Sequence, residues 1–301
     1  MKRWAKRLAL VLALAFLGMS VLNASWLAPA PRGYVKLIAQ RGTMQQFSHK
    51  DLGPRDCTAT RIEPPVHDYP ENTLPGLPQA ARPRAQAIAL TDAPTADEQI
   101  VLFHDWTLNC RTDGKGEVRK ATLAQSKALD AGYGYSADGG KTFPLRGTGR
   151  GAIPTLREAL ALLPEKPLIY TLKSRDPREA DLLIAALTAA GRRAGQSGEG
   201  SVTVGALRPR LRRAYPNAWA FSPQGVKACT KDYLVQGWLG LTPESCRNGT
   251  LFVPLNYQWA FAGWPNRTIA RMQAVGARIV ITRDRGKGLP MGLALPEQRG
   301  Q

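Results

Sequence analysis

His104 and Asp105 close the apolar run Ile100-Val101-Leu102-Phe103, and the polar, glycine-bearing stretch 105–116 follows them. An imidazole has the side-chain pKa closest to neutrality, so a histidine delivered by a buried strand is a first candidate for moving protons. In a parallel α/β barrel such groups stand at the carboxyl edge of the sheet. Alone, His104 reads more readily as a strand cap in an ordinary polar loop. The elements around it give it more weight.

Short apolar runs alternate with helical patterns at 35–39, 87–90, 100–104, 168–172, 201–206, 218–221, 251–255 and 277–282. Helical stretches at 156–163, 179–190 and 268–274 lie between several of them, the arrangement of repeated β-to-α crossovers. The pattern predicts an α/β fold, a TIM-type (β/α)8 barrel. Residues 91–99 are too few for a crossover helix, so the second and third strands are expected to form a hairpin. The glycine-rich stretch 111–151, with a short helix near 123–129, reads as an insertion. Gly286, Gly288, Pro290, Gly292 and Pro296 oppose a closing helix, which is expected to be reduced.

The chain has 301 residues, 44% of them hydrophobic, enough for one large core; α/β barrels commonly take about 250 residues in a single domain. Lys and Arg number 41 against 23 Asp and Glu, a net charge of +18, with a local cluster at Arg208, Arg210, Arg212 and Arg213. This suits an anionic partner such as a membrane surface, and the cluster reads equally as a solvated basic face. No nucleic-acid-binding signature accompanies it, so nucleic acid is not expected as a partner.

Lys2, Arg3, Lys6 and Arg7 precede an apolar run over 8–22, the pattern of a secretory signal or an N-terminal anchor. Ala28-Pro29-Ala30 is followed by Pro31, and Asn23-Ala24-Ser25 has a poor residue three back from a cut. An uncleaved anchor over 1–27, in the inner membrane with the rest facing the periplasm, is therefore the reading; a cleaved signal and a soluble periplasmic protein are the alternative. Export makes Cys57, Cys110, Cys229 and Cys246 candidates for two disulfides rather than a metal site, since no CxxC accompanies them. Cys229 with Cys246 is the local pair, leaving Cys57 with Cys110; four buried thiols are the alternative.

With Gln40-Arg41-Gly42, Glu71-Asn72-Thr73, Thr95-Ala96-Asp97-Glu98 and Phe103-His104-Asp105 in this order, the chain over 35–282 resembles the glycerophosphodiester phosphodiesterases. Segments 105–116, 228–234, 237–248 and 264–272 look like the exported bacterial branch of that family. The resemblance implies an α/β barrel over 33–301 with an inserted subdomain. It also implies a divalent cation, calcium or magnesium, and hydrolysis of glycerophosphodiesters to glycerol 3-phosphate and an alcohol, a step of lipid metabolism.

The family uses two histidines and a carboxylate cluster. His104 matches the second histidine as the catalytic residue, and the first falls on Gln40, an amide that exchanges no proton near neutrality. Arg41 and Lys173 match substrate-binding positions, and Glu71 matches one metal ligand. The other ligand positions fall on Ala89, Thr91 and Thr171. One glutamate among neutral oxygens is expected to hold a hard divalent cation weakly or not at all. Asp92 is next to Thr91 but points to the opposite face unless the strand bulges. Pro78 and Pro83 are expected to break the helix after Glu71. The chain is thus read as a catalytically impaired relative that keeps binding an anionic headgroup or a glycerophosphodiester. The alternatives are an active phosphodiesterase with a rearranged metal site, and a basic membrane-surface binding or scaffold protein.

Overall fold

The computed structural model describes residues 2–31, 37–48, 52, 56–81, 85–192, 200–202 and 207–282. The chain divides into two compact units: Val35–Ser222 is the body of one, and Met1–Tyr34 with Pro223–Leu295 forms the other. The second begins with helix α1 (Lys2–Leu22).

The larger unit holds strands β1 (Ile38–Gln40), β2 (Ala87–Pro94), β3 (Ile100–Leu102), β4 (Leu168–Leu172), β5 (Gly200–Val202) and β6 (Trp219–Phe221). Five of them run parallel in the order β1-β2-β4-β5-β6, and β3 pairs antiparallel with β2. Helices α2 (Gly76–Ala80), α3 (Leu123–Ala128), α4 (Leu156–Leu162), α5 (Pro177–Ala189) and α6 (Leu207–Ala214) complete it. Ile88 and Leu90 of β2 share a core with Leu168, Tyr170 and Leu172 of β4 and with Leu156, Leu160 and Leu183 of α4 and α5. That is the helix-covered face. Ala89 and Thr91, one step out of phase, are buried on the other face, so β2 reads as a continuous buried run.

Capping residues set the helix starts. Thr155 and Glu158 form a reciprocal capping box at α4, and Asp176 accepts from the Arg178 amide ahead of α5, which has Pro177 in its first turn. Helix α2 is a single turn, so Pro78 falls within its first turn and interrupts no intrahelical bond. Pro83, strand positions 35–36 and 203–206, and the expected reduced closing helix after Thr282 lie outside the described residues.

The β2–β3 link is five residues, 95–99. Thr95 Oγ1 donates to Asp97 Oδ1 at 2.6 Å and accepts from the Gln99 amide at 3.0 Å, and Glu98 takes a left-handed φ of 56°. So short a link can only reverse the chain, which makes β3 antiparallel. At Asp92, β2 pairs with Leu102 on one edge and Leu172 on the other, while at Ile88 it pairs with Ala39 and Leu168. β3 therefore takes the edge that β1 vacates when it ends at Gln40. His104 does not end a parallel barrel strand as its apolar run suggested; the hairpin carries it back beside the carboxyl end of β1.

Residues 111–151 are organised around Asp130, whose carboxylate accepts from the amides of Gly132, Gly147 and Gly149 at 2.9, 2.6 and 3.1 Å. A Cβ at Gly132 or Gly134 would collide with the carbonyl oxygen of Leu145 or Cys110, which explains why only glycine fits there. The disulfide Cys57–Cys110 ties this segment to the turn Thr58–Arg61. In the basic cluster of α6, Arg210 pairs with Asp181, and Arg208 Nε donates to the Ala220 carbonyl at 3.2 Å.

The smaller unit packs helices α7 (Pro223–Gln236) and α8 (Asn266–Ala274) with the parallel pair β7 (Thr250–Pro254) and β8 (Arg278–Thr282). Its core joins Cys229, Tyr233, Leu251, Val253, Phe261 and Met272, and the disulfide Cys229–Cys246 closes it. The stretch Arg3–Leu22 is long and apolar enough to cross a membrane, with a mean hydropathy of 1.9. The chain just after it is built into this unit. Asn23 Nδ2 donates to the Trp238 carbonyl at 2.8 Å, Arg271 Nη2 donates to Asn23 Oδ1 at 2.8 Å, and Ser25 Oγ accepts from the Asn266 amide at 3.0 Å.

Candidate active site

Directly paired residues of neighbouring strands point to one face, and so do residues two apart along a strand. Gln40 pairs with Ala89, and Thr91 pairs with Thr171. The four positions where the expected histidine and carboxylates are replaced therefore share the face not covered by helices. On that face Thr91 Oγ1 lies 3.3 Å from His104 Nδ1.

Arg41 follows β1 in a left-handed conformation, φ 49°, with Gly42 at 69°. This turn buries the guanidinium and directs Nη1 to Glu71 Oε1 at 3.1 Å. The Asn72 amide donates to the Arg41 carbonyl at 2.8 Å, which brings the Glu71 loop alongside. A second guanidinium reaches the same carboxylate: Arg111 Nη1 is 3.5 Å from Glu71 Oε2, and its Nε is 3.0 Å from Asp105 Oδ2, close enough for an ion pair though not aligned as a hydrogen bond. Arg111 also donates to Thr58 Oγ1 at 2.6 Å and Tyr135 Oη at 3.1 Å. Lys173 Nζ sits 4.9 Å from the Trp106 ring centroid, and Arg119 is 5.6 Å from the same ring.

Three cations, Arg41, Arg111 and Lys173, thus gather with two carboxylates, Glu71 and Asp105, around a buried histidine. Burial, and then the positive charges of Arg41, Lys173 and Arg111, hold the His104 pKa well below its ordinary value. The imidazole is neutral at pH 7 and able to accept a proton. Burial works against the charge of Arg111, but Asp105 and Glu71 outweigh it and raise its pKa well above the usual value. Both side-chain polar atoms of Asn72 are buried without a hydrogen-bond partner, next in sequence to Glu71.

A divalent cation does not fit this donor set. Each oxygen of Glu71 faces a guanidinium, and Ala89, Thr91 and Thr171 bring no charge. Among the described residues no three His, Cys, Asp or Glu side chains gather in a way that could hold a metal. Asp92 does not fill the gap. The β2 ladder is regular through Asp92, without a bulge, so its side chain takes the opposite face. There burial, and then Glu179, raise its pKa well above the usual carboxylate range, and neither carboxyl oxygen has a hydrogen-bond partner. Glu179, also raised by burial, pairs with Arg119 at 3.2 Å.

The structure brings Arg41, Glu71 and His104 into one cluster with Lys173, and sets Gln40, Ala89, Thr91 and Thr171 on one face. Sequence reasoning missed Arg111, Tyr135, Thr58 and Trp106. One signal was present: Arg111 follows Cys110 and Thr58 follows Cys57, so the disulfide that joins the cysteines brings this pair together.

Residues 66–186 match the glycerophosphoryl diester phosphodiesterase family. Glycerophosphodiester phosphodiesterase 1 of Bos taurus is 33% identical over 153 residues, covering 50% of this chain and 44% of the relative, so the match spans about half the relative's length. The solved glycerophosphoryl diester phosphodiesterase domain of a Mycobacterium tuberculosis protein is 22% identical with a TM-score of 0.51, covering 74% of this chain and 71% of that one. An Oleispira antarctica phosphodiesterase, solved in complex with the product sn-glycerol-3-phosphate, has a TM-score of 0.53 at 17% identity and covers 86% of each chain. These two likenesses show the α/β barrel fold. The matched segment and the sequence relatives make residues 66–186 similar to the glycerophosphodiester phosphodiesterase family, and the solved structures share its fold.

Proposed function

We propose that this chain is an exported, membrane-anchored member of the glycerophosphodiester phosphodiesterase family that binds a glycerophosphodiester or phospholipid headgroup and hydrolyses it poorly. The observation that carries the reading is Glu71: the one carboxylate kept from the family's ligand positions is held by Arg41 and Arg111. With Gln40 in place of the first histidine, His104 has no second proton carrier at that position. Arg41, Arg111 and Lys173 gather at His104, and these cations are the binding groups for a phosphodiester anion. The glycerol 3-phosphate bound by the Oleispira antarctica relative supports a glycerophosphodiester-type ligand.

Residues 1–27 act as an uncleaved anchor and 33–301 as the phosphodiesterase-like domain, with 111–151 inserted. The basic start of α1 favours its amino end staying in the cytoplasm. Both disulfides suit the periplasm. Retention is supported by Asn23, 5% exposed and bonded to Trp238 and Arg271, since cleavage beyond it would remove those bonds. The test pairs calorimetric binding of glycerophosphocholine and glycerophosphoethanolamine with release of glycerol 3-phosphate, each with calcium, magnesium or chelator. Binding that ignores the chelator, with turnover near background, is expected. Robust metal-dependent turnover abolished by His104→Ala would overturn the reading.

A further inference from the structure

The smaller unit carries an apolar surface that the anion site does not use. Val235, Leu239 and Leu241 are 65, 62 and 55% exposed, and no charged residue occurs from 235 to 241 in a chain of net charge +18. Trp26 and Trp259 are 79 and 67% exposed in the same unit. Scattered apolar side chains are ordinary on a surface, whereas an uncharged run of this kind calls for a partner.

Depth along α1 identifies that partner. The Trp238 ring, in the turn Gly237–Leu239, stacks on Phe16 with centroids 6.5 Å apart. Trp238 also lines, with Ser20, Asn23, Trp259 and Trp264, a cavity of about 220 Å³. Phe16 lies six residues before the end of α1 at Leu22, about 9 Å at ~1.5 Å per residue. Wherever α1 goes, this turn follows it by that distance. The uncharged part of α1, 8–22, measures roughly 22 Å by the same rise and reaches the ~30 Å of the hydrocarbon core only with the cationic first turns, so a bilayer spanned by α1 draws the following residues toward itself. Asn23 can enter that layer with its amide satisfied by Met19, Trp238 and Arg271.

We propose that the turn Gly237–Leu239 with its flanks Val235 and Leu241 is a membrane wedge that sits in the acyl-chain margin of a phospholipid bilayer beside α1. Trp26 and Trp259 then stand at headgroup level, where indoles partition. The proposal rests on the reading of α1 as a retained anchor. The test uses the full chain in phosphatidylcholine–phosphatidylglycerol vesicles with photoreactive benzoylphenylalanine replacing Leu239 or Leu241. Irradiation is expected to add a phospholipid mass at both positions. A chain that floats with the vesicles but gives no lipid adduct at 239 and 241, or a protein–protein adduct of doubled mass, overturns the wedge and leaves the anchor intact. A chain that loses its N-terminal residues or fails to float overturns the anchor and the wedge with it.

Discussion

Placing the family's four groups at Gln40, Ala89, Thr91 and Thr171 together tests the proposal that this chain hydrolyses its ligand poorly for want of them. Gln40 and Ala89 face each other across β1 and β2, and Thr91 and Thr171 across β2 and β4. Neighbouring strands lie about 4.8 Å apart, so Gln40→His, Ala89→Glu, Thr91→Asp and Thr171→Glu would place a histidine and three carboxylates on one face within reach of a single ion. Without a cation those carboxylates repel, and the fourfold variant should melt below its parent. Calcium at a hundred times its Kd adds about 2.7 kcal/mol, which raises Tm by roughly 5–11 °C at about 2–4 °C per kcal/mol for a domain of 150–250 residues. Any single reversion should gain little, since one new ligand holds the ion weakly and a histidine without it has no activated phosphate to serve. Differential scanning fluorimetry with and without calcium reads the first effect, and glycerol 3-phosphate release the second. A calcium-dependent rise of the same size in the parent chain would refute the reasoning, because its present donors would then already form a metal site.

Three further outcomes follow from the buried charges and cross-links. Arg111→Met leaves Glu71, 4% exposed, with only Arg41 of its two guanidinium partners; the loss should be about 3 kcal/mol, at the low end for breaking a buried ion pair, and denaturant unfolding within about 1 kcal/mol of the parent would count against the network. Asp92 has a raised pKa, so its folded form holds a proton that the unfolded chain has released, and the parent loses stability as pH rises from the ordinary carboxylate range toward the raised value. Asp92→Asn cannot titrate, so its stability relative to the parent should grow from pH 5 to pH 8 in parallel melts, and a constant difference would show that the carboxyl is ionised throughout. Cys57–Cys110 closes a separation of 53 residues and Cys229–Cys246 one of 17; loop entropy makes their removal as Ser pairs cost about 4 and about 3 kcal/mol, and a reversed order in chemical denaturation would argue against that account.

The apolar runs made the eight strands among the described residues legible, because burial on a sheet leaves its mark on consecutive residues whatever their distant partners are. The hairpin was legible too: a link this short can only reverse direction. Cys229–Cys246 was readable from separation alone, and the resemblance put Gln40, Ala89, Thr91 and Thr171 at the positions to compare. The side on which Asp92 lies required the observed ladder, since a bulge would have reversed its face and nothing in the sequence excludes one. That β3 takes the edge vacated by β1, and so sets His104 beside Thr91, depends on register between strands. The fate of Glu71 was least accessible. Arg41 and Arg111 lie 30 and 40 residues from it along the chain, and an ion pair leaves no periodicity in the residues that make it. The sequence by itself determined that Gln40, Ala89, Thr91 and Thr171 carry no charge; only the tertiary structure decided that they share one face and that two guanidiniums face the carboxylate of Glu71, because that choice depends on distances set by strand register, the turn after β1 and the Cys57–Cys110 cross-link.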